Sequence, residues 1–97
     1  MADQYEEGLL EIKRLIEDPI KYFWPNHYLS PGEHRRMSKV IEEKSYRQIG
    51  YEEGASYMTV RNTITEGRKK LSYTATEIRI MMIAEIRRIV DELIQPS

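Results

Sequence analysis

Residues 45–71 read SYRQIGYEEGASYMTVRNTITEGRKKL, and the rest of the chain is organised around them. Ser45 can cap a short helix, with Gln48 three residues on to complete a capping box. Gly54 falls where that helix stops, and glycine takes the left-handed conformation that such an end often needs. Ser56 can then cap a second helix. Val60, Ile64, Gly67 and Leu71 recur at spacings of four, three and four, which places them on one face at about 100° per residue. The opposite face carries Met58, Asn62, Thr65 and Lys69, flanked by Arg61 and Arg68. That face is cationic and rich in side chains able to read base edges. The pattern predicts helices over 46–53 and 57–71.

Working outward, Ser30-Pro31-Gly32-Glu33 combines a serine cap, a first-turn proline and a glutamate at the third position. It predicts a helix running to about Glu43, with Met37, Val40 and Ile41 turned inward. On the other side, Thr74 and Glu77 form another capping box. It opens a long helix from about Ala75 to Ile94, which Pro96 is expected to stop. Nearer the N-terminus, Asp3 to Glu17 reads as an amphipathic helix with Asp3 and Glu6 as its capping pair. Leu9, Ile12, Leu15 and Ile16 form its apolar stripe. Asp18-Pro19 interrupts it and starts a short second helix. Tyr22, Phe23, Trp24 and Tyr28 gather the aromatic residues around Pro25-Asn26, and core packing is their expected role. No strand pattern or internal repeat is present. The expected fold is all-α, with about six helices in a single domain, 1–97. It divides into an N-terminal helical and aromatic segment at 1–28, a core at 29–71 and a C-terminal helix at 74–95.

The residues of the core also carry a family resemblance. Leu29-Ser30-Pro31 with Glu33, Ser45-Tyr46 with Ile49, Gly54, Ser56, Thr59-Val60-Arg61-Asn62, Ile64 and Arg68-Lys69-Lys70-Leu71 run without a gap. This segment resembles the helix-turn-helix of bacterial sigma factors, in the promoter-reading domain called region 4. It is equally similar to DNA-binding domains of the LuxR type. The resemblance implies a tetrahelical helix-turn-helix domain, here with an added N-terminal helix and a long C-terminal one. Three places depart from the family pattern. Glu53 stands where a buried leucine is usual, Ala55 replaces a branched residue in the turn, and Arg36, Lys39 and Lys44 occupy positions that are often apolar.

Composition narrows the chemistry. The chain has 97 residues, a formal net charge of −1 and no cysteine, so disulfides and thiolate sites are excluded. A reducing cytoplasm fits this composition. Charge is unevenly spread: residues 1–18 hold six acids and two bases, whereas 44–71 hold six bases and three acids. The second balance is the local footprint expected of a phosphate-binding surface. The N-terminus has early acids and no apolar run, so no signal peptide is expected. The apolar stretch 78–94 carries Glu85, Arg87, Arg88, Asp91 and Glu92, too many charges for a membrane span. His27 and His34 have no thiol or acidic co-ligand in the pattern and are expected at the surface or as caps. Phosphate loops, paired histidines and serine elbows are missing. The chain is therefore expected to be a non-enzyme without a cofactor.

Two function classes follow. In the first, the chain is a sequence-specific regulator of transcription that binds double-stranded DNA, with helix 57–71 in the major groove. Arg61, Asn62, Thr65 and Arg68 are the candidates for bases, Lys69 for phosphate, with Tyr57 and Met58 beside them. Ser45, Tyr46 and Arg47, at the start of the preceding helix, are placed to meet the phosphate backbone. In the second class the same fold is an adaptor on RNA polymerase or on a sigma factor. Small phage proteins exist in both classes, and a small terminase subunit that grips DNA is a further version. The last helix carries more apolar positions than one small core consumes. Met82, Ile83, Ile86, Val90 and Leu93 are therefore expected to join two copies into a homodimer.

Overall fold

A computed structural model describes residues 2–95, and these are all-α. The six helices are α1 (Ala2–Glu17), α2 (Pro19–Phe23), α3 (Pro31–Ile41), α4 (Tyr46–Glu53), α5 (Tyr57–Leu71) and α6 (Ala75–Ile94). Their starts follow the expected local chemistry. Ser30 and Thr74 each accept from the backbone N–H of the glutamate three residues on, and Glu33 and Glu77 return the bond. Asp18 caps α2 with Pro19 in its first turn. Ser45 Oγ accepts from Gln48 N at 3.1 Å, but Gln48 does not reciprocate as expected: this cap is one-sided. Asp3 does not cap α1, because the helix already runs from Ala2. It sits in the first turn instead, where its charge complements the helix dipole. Among the described residues, no helix is long and apolar enough to cross a membrane. Pro96, expected to stop α6, lies outside the described residues.

The third helix stops two residues short of the expected Glu43. Glu43 takes a left-handed φ of 69°, and the amides of Glu43 and Lys44 turn back to the carbonyls of Val40 and Lys39 at 2.9 and 3.0 Å. This pair of bonds closes a helix end that usually ends on glycine. The guanidinium of Arg79, on α6, donates to the Val40 carbonyl at 2.9 Å, adding a cation at the negative end of α3.

Helix α3 is the hub. It touches α2, α4, α5 and α6, while α5 also packs on α4. Met37, Ile41, Ile49, Val60, Ile64, Leu71 and Ile78 form the main core with Ile20 and Leu29. Every one of the four positions expected on the inner face of α5 is buried. The aromatic segment contributes less than expected. Trp24 packs partly against the core, whereas Tyr28 is 72% exposed. Helix α1 lies mainly against α6. Leu15 and Ile89 are fully buried but stand outside the main cluster, so this pair of helices has an apolar seam of its own.

Candidate nucleic-acid interface

Three backbone features set the relation of α4 to α5. Gly54 ends α4 in the left-handed conformation, with φ of 65°. The amide of Ala55 then folds back onto the Gly50 carbonyl at 2.8 Å. Ser56 starts α5 by accepting from Thr59 N at 3.1 Å. Small residues permit the close approach: a Cβ on Gly50 would lie 2.6 Å from the Ala55 carbonyl oxygen, and one on Gly67 would lie 2.7 Å from Met37 Cγ. The sequence pattern marked Gly67 only as an inner-face position and did not mark Gly50 at all.

The family-discordant charges form one cluster. Glu53 Oε1 accepts from Arg35 Nη2 at 2.9 Å and from Arg36 Nε at 3.0 Å, while Oε2 accepts from Lys39 Nζ at 2.9 Å. Its side chain is only 11% exposed. Arg35, then Lys39 and Arg36, hold its carboxyl down at about 2, although burial opposes them. Arg36 also reaches Thr63 Oγ1 at 2.8 Å, so the network ties α3 to both α4 and α5. A buried leucine at this position would fasten the helices by burial, whereas here charge and hydrogen bonds do so. Charged residues in α3 that looked out of place are thereby accounted for.

The same network sorts the cations of 44–71. Lys44 pairs with Glu52 at 3.0 Å and Lys70 with the capping glutamate Glu33 at 2.7 Å. The Lys70 ammonium is the main cause that pulls the Glu33 carboxyl down. Lys69 meets Glu66 at 3.4 Å, but both side chains are more than half exposed, and such a pair is weak. Arg47, Arg61 and Arg68 are exposed and, among the described residues, make no ion pair.

Helix α5 therefore has two different flanks. Thr63 and Lys70 are stitched to α3. The other flank and the outer face leave Arg61, Asn62, Arg68 and Lys69 exposed. Thr65 is half-buried, and its hydroxyl donates to the Arg61 carbonyl at 2.9 Å, which leaves its methyl and lone pairs for an outside contact. Tyr57 and Met58 are about half exposed, at 50% and 53%. Tyr46, expected on the backbone-contacting edge, is partly buried against the core. Its ring leans on Tyr57 at 5.8 Å. Tyr46, Thr65 and Arg68 line one cleft of about 170 Å³ with Thr74 and Thr76. The Ser45 hydroxyl is occupied as the cap of α4. Tyr51, 91% exposed, was not anticipated. It stands one turn beyond Arg47, and that i, i+4 spacing was the available signal.

The remaining expected residues fall elsewhere. His34 meets Asp18 Oδ1 at 2.9 Å, an acidic partner that the spacing did not suggest, and His27 Nδ1 accepts from Leu29 N at 3.1 Å. On α6, Ile83 and Val90 are exposed, at 67% and 39%, and Ile86 is half-buried. Met82 instead packs on the core. Leu93 fills the space beside Gly8, whose absent Cβ would lie 2.7 Å from it. These two side chains are consumed within the chain, because α1 and the core both lean on that side of α6. No protein-family model, curated protein or solved structure matches the chain.

Proposed function

We propose that this protein is a sequence-specific binder of double-stranded DNA that regulates transcription, with α4, the Gly54–Ser56 turn and α5 acting as a helix-turn-helix. The observation that carries the reading is the sorting of charge. Buried or tethered cations in 39–70 have carboxylate partners, whereas Arg47, Arg61 and Arg68 lie exposed with none among the described residues. Arginine is the side chain best suited to guanine edges and to phosphate, and Asn62 beside Arg61 suits adenine. An α-helix fits the major groove, and Met58, Asn62 and Lys69 on the outer face of α5 are exposed. Arg61, Asn62, Thr65 and Arg68 are assigned to bases, and Lys69 with Arg47 to phosphates. The likeness to sigma region 4 and LuxR-type domains belongs to this reading and supports the same docking of α5.

Selection from a pool of random duplexes, followed by binding measurements on the enriched site, tests it. An enriched motif is expected, with Arg61→Ala and Asn62→Ala each weakening specific binding by about 1–3 kcal/mol while the fold persists. A pool that returns no motif, together with variants that bind DNA as the parent does, overturns the assignment and leaves the adaptor reading.

A further inference from the structure

Helices α1 and α6 run antiparallel, as the pairing of Gly8 with Leu93 and of Glu11 with Arg88 shows. Their contact line uses Gly8, Glu11 and Leu15 on one helix and Glu85, Ile89 and Leu93 on the other. Tyr5, Leu9 and Ile16 lie off this line on α1 and are 49–58% exposed. On α6, Ile83, Val90 and Ile94 lie off it and are 39–70% exposed. At about 100° per residue, both sets are rotated from the contact line by roughly 110° in the same sense. In an antiparallel pair, equal rotations of one sense bring both stripes to the same side. The two helices thus present one continuous apolar face. It runs into an open groove of about 330 Å³ where Met82, Ile83 and Ile86 meet the end of α3.

We infer that a second copy of this chain covers this face, completing a four-helix arrangement from two α1–α6 pairs. The amount of surface fits that occupant. The chain exposes 6840 Å², whereas a compact monomer of its 11.6 kDa exposes about 5,800 Å². The excess, about 1,000 Å² per chain, slightly exceeds the roughly 800 Å² per partner of a standard stable interface. Extension accounts for it: the Cα radius of gyration is 15.7 Å, against about 12.5 Å for a compact domain of this length. Charge fits as well. Glu6, Lys13 and Glu17 border the stripe on α1 and Arg87 and Asp91 border it on α6, a margin of both signs in which two copies of one face can set opposite charges against each other. A margin of one sign would repel its own copy. Two-helix faces with apolar stripes at helical spacing close upon each other as bundles do. The inference concerns the α1–α6 face and does not depend on DNA binding.

The test is the mass of the full chain in solution without DNA, measured by light scattering at tens of micromolar. Twice 11.6 kDa is expected. Leu9→Glu and Ile83→Glu should each raise the dimer dissociation constant by more than about tenfold and leave helical circular dichroism unchanged. Leu10→Glu, equally exposed but off the stripe, should leave the dimer intact. Ile83 carries the test if Leu9→Glu unfolds the chain, since its side chain is the more exposed. A monomeric parent, or a dimer that survives Ile83→Glu, or one that Leu10→Glu breaks, overturns the inference. Because DNA is absent from the measurement, none of these outcomes bears on the reading of α5.

Discussion

A Cβ on Gly50 would press against the Ala55 carbonyl oxygen at 2.6 Å, and that oxygen belongs to the backbone of the turn, which cannot swing aside like a side chain. Alanine normally gains about 1 kcal/mol over glycine inside a helix. Here overpacking costs about 1–3 kcal/mol. Gly50→Ala is therefore expected to destabilise the chain by about 1 kcal/mol net, read as a lower urea midpoint; a raised midpoint would show that the turn yields. Glu53 gives the second prediction at this scale. Arg35, Lys39 and Arg36 depress its folded pKa to about 2 from the ordinary 4.5. A depressed folded pKa contributes stability above the unfolded value and loses it as pH falls toward the folded one. Stability should thus decline between about pH 4.5 and 2 through this group. Glu53→Gln should lower stability at neutral pH by about 1–2 kcal/mol and flatten that acid decline. An unchanged acid profile would show that the cluster does not hold α3 to α4.

Between elements, α1 joins the rest mainly through α6 and α2, outside the main core. Leu15 and Ile89 are buried there, and Tyr22 adds a polar tie beside the Glu11–Arg88 pair. The Tyr22 hydroxyl lies 2.7 Å from Glu85 Oε2 and 3.0 Å from Glu11 Oε1, so one phenol links α2 to α6 and α1. Burial first, then Glu85 and Glu11, push its pKa far above the usual phenol range; it keeps its proton and donates. Leu15→Ala removes the fully buried anchor and should cost about 2–5 kcal/mol. Amide exchange is expected to accelerate in α1 well before it does in α3 or α5, because local opening follows local contacts. Equal acceleration in all helices would show that α1 unfolds with the core.

For the whole molecule, net charge and local charge give different answers. The formal balance is −1, which attracts no polyanion, yet the surface of α5 retains the free arginines. Binding to DNA should then depend on counterions released at a few contacts, and the slope of log affinity against log salt should be shallow, about −0.9 per phosphate contact. Lys69→Ala should weaken binding to all sequences alike and flatten that slope by about one unit. A sequence-dependent loss would make Lys69 a reader of bases instead.

What the sequence determined by itself is the local part: the six helices, the caps at Asp18, Ser30, Ser56 and Thr74, the left-handed Gly54 and the inner face of α5. Caps and periodicity act within a few residues, so they are written along the chain. Only the tertiary structure decided which charges remain free. Arg36, Lys39 and Glu53 looked like misplaced polar residues until α3 and α4 came together, and Lys70 looked as available as Arg61 until Glu33 met it across 37 positions. Nor could spacing show that Met82 and Leu93 face inward while Ile83 and Val90 do not. The stripe of α6 is apolar on more than one side, and which side is buried depends on where α1 packs.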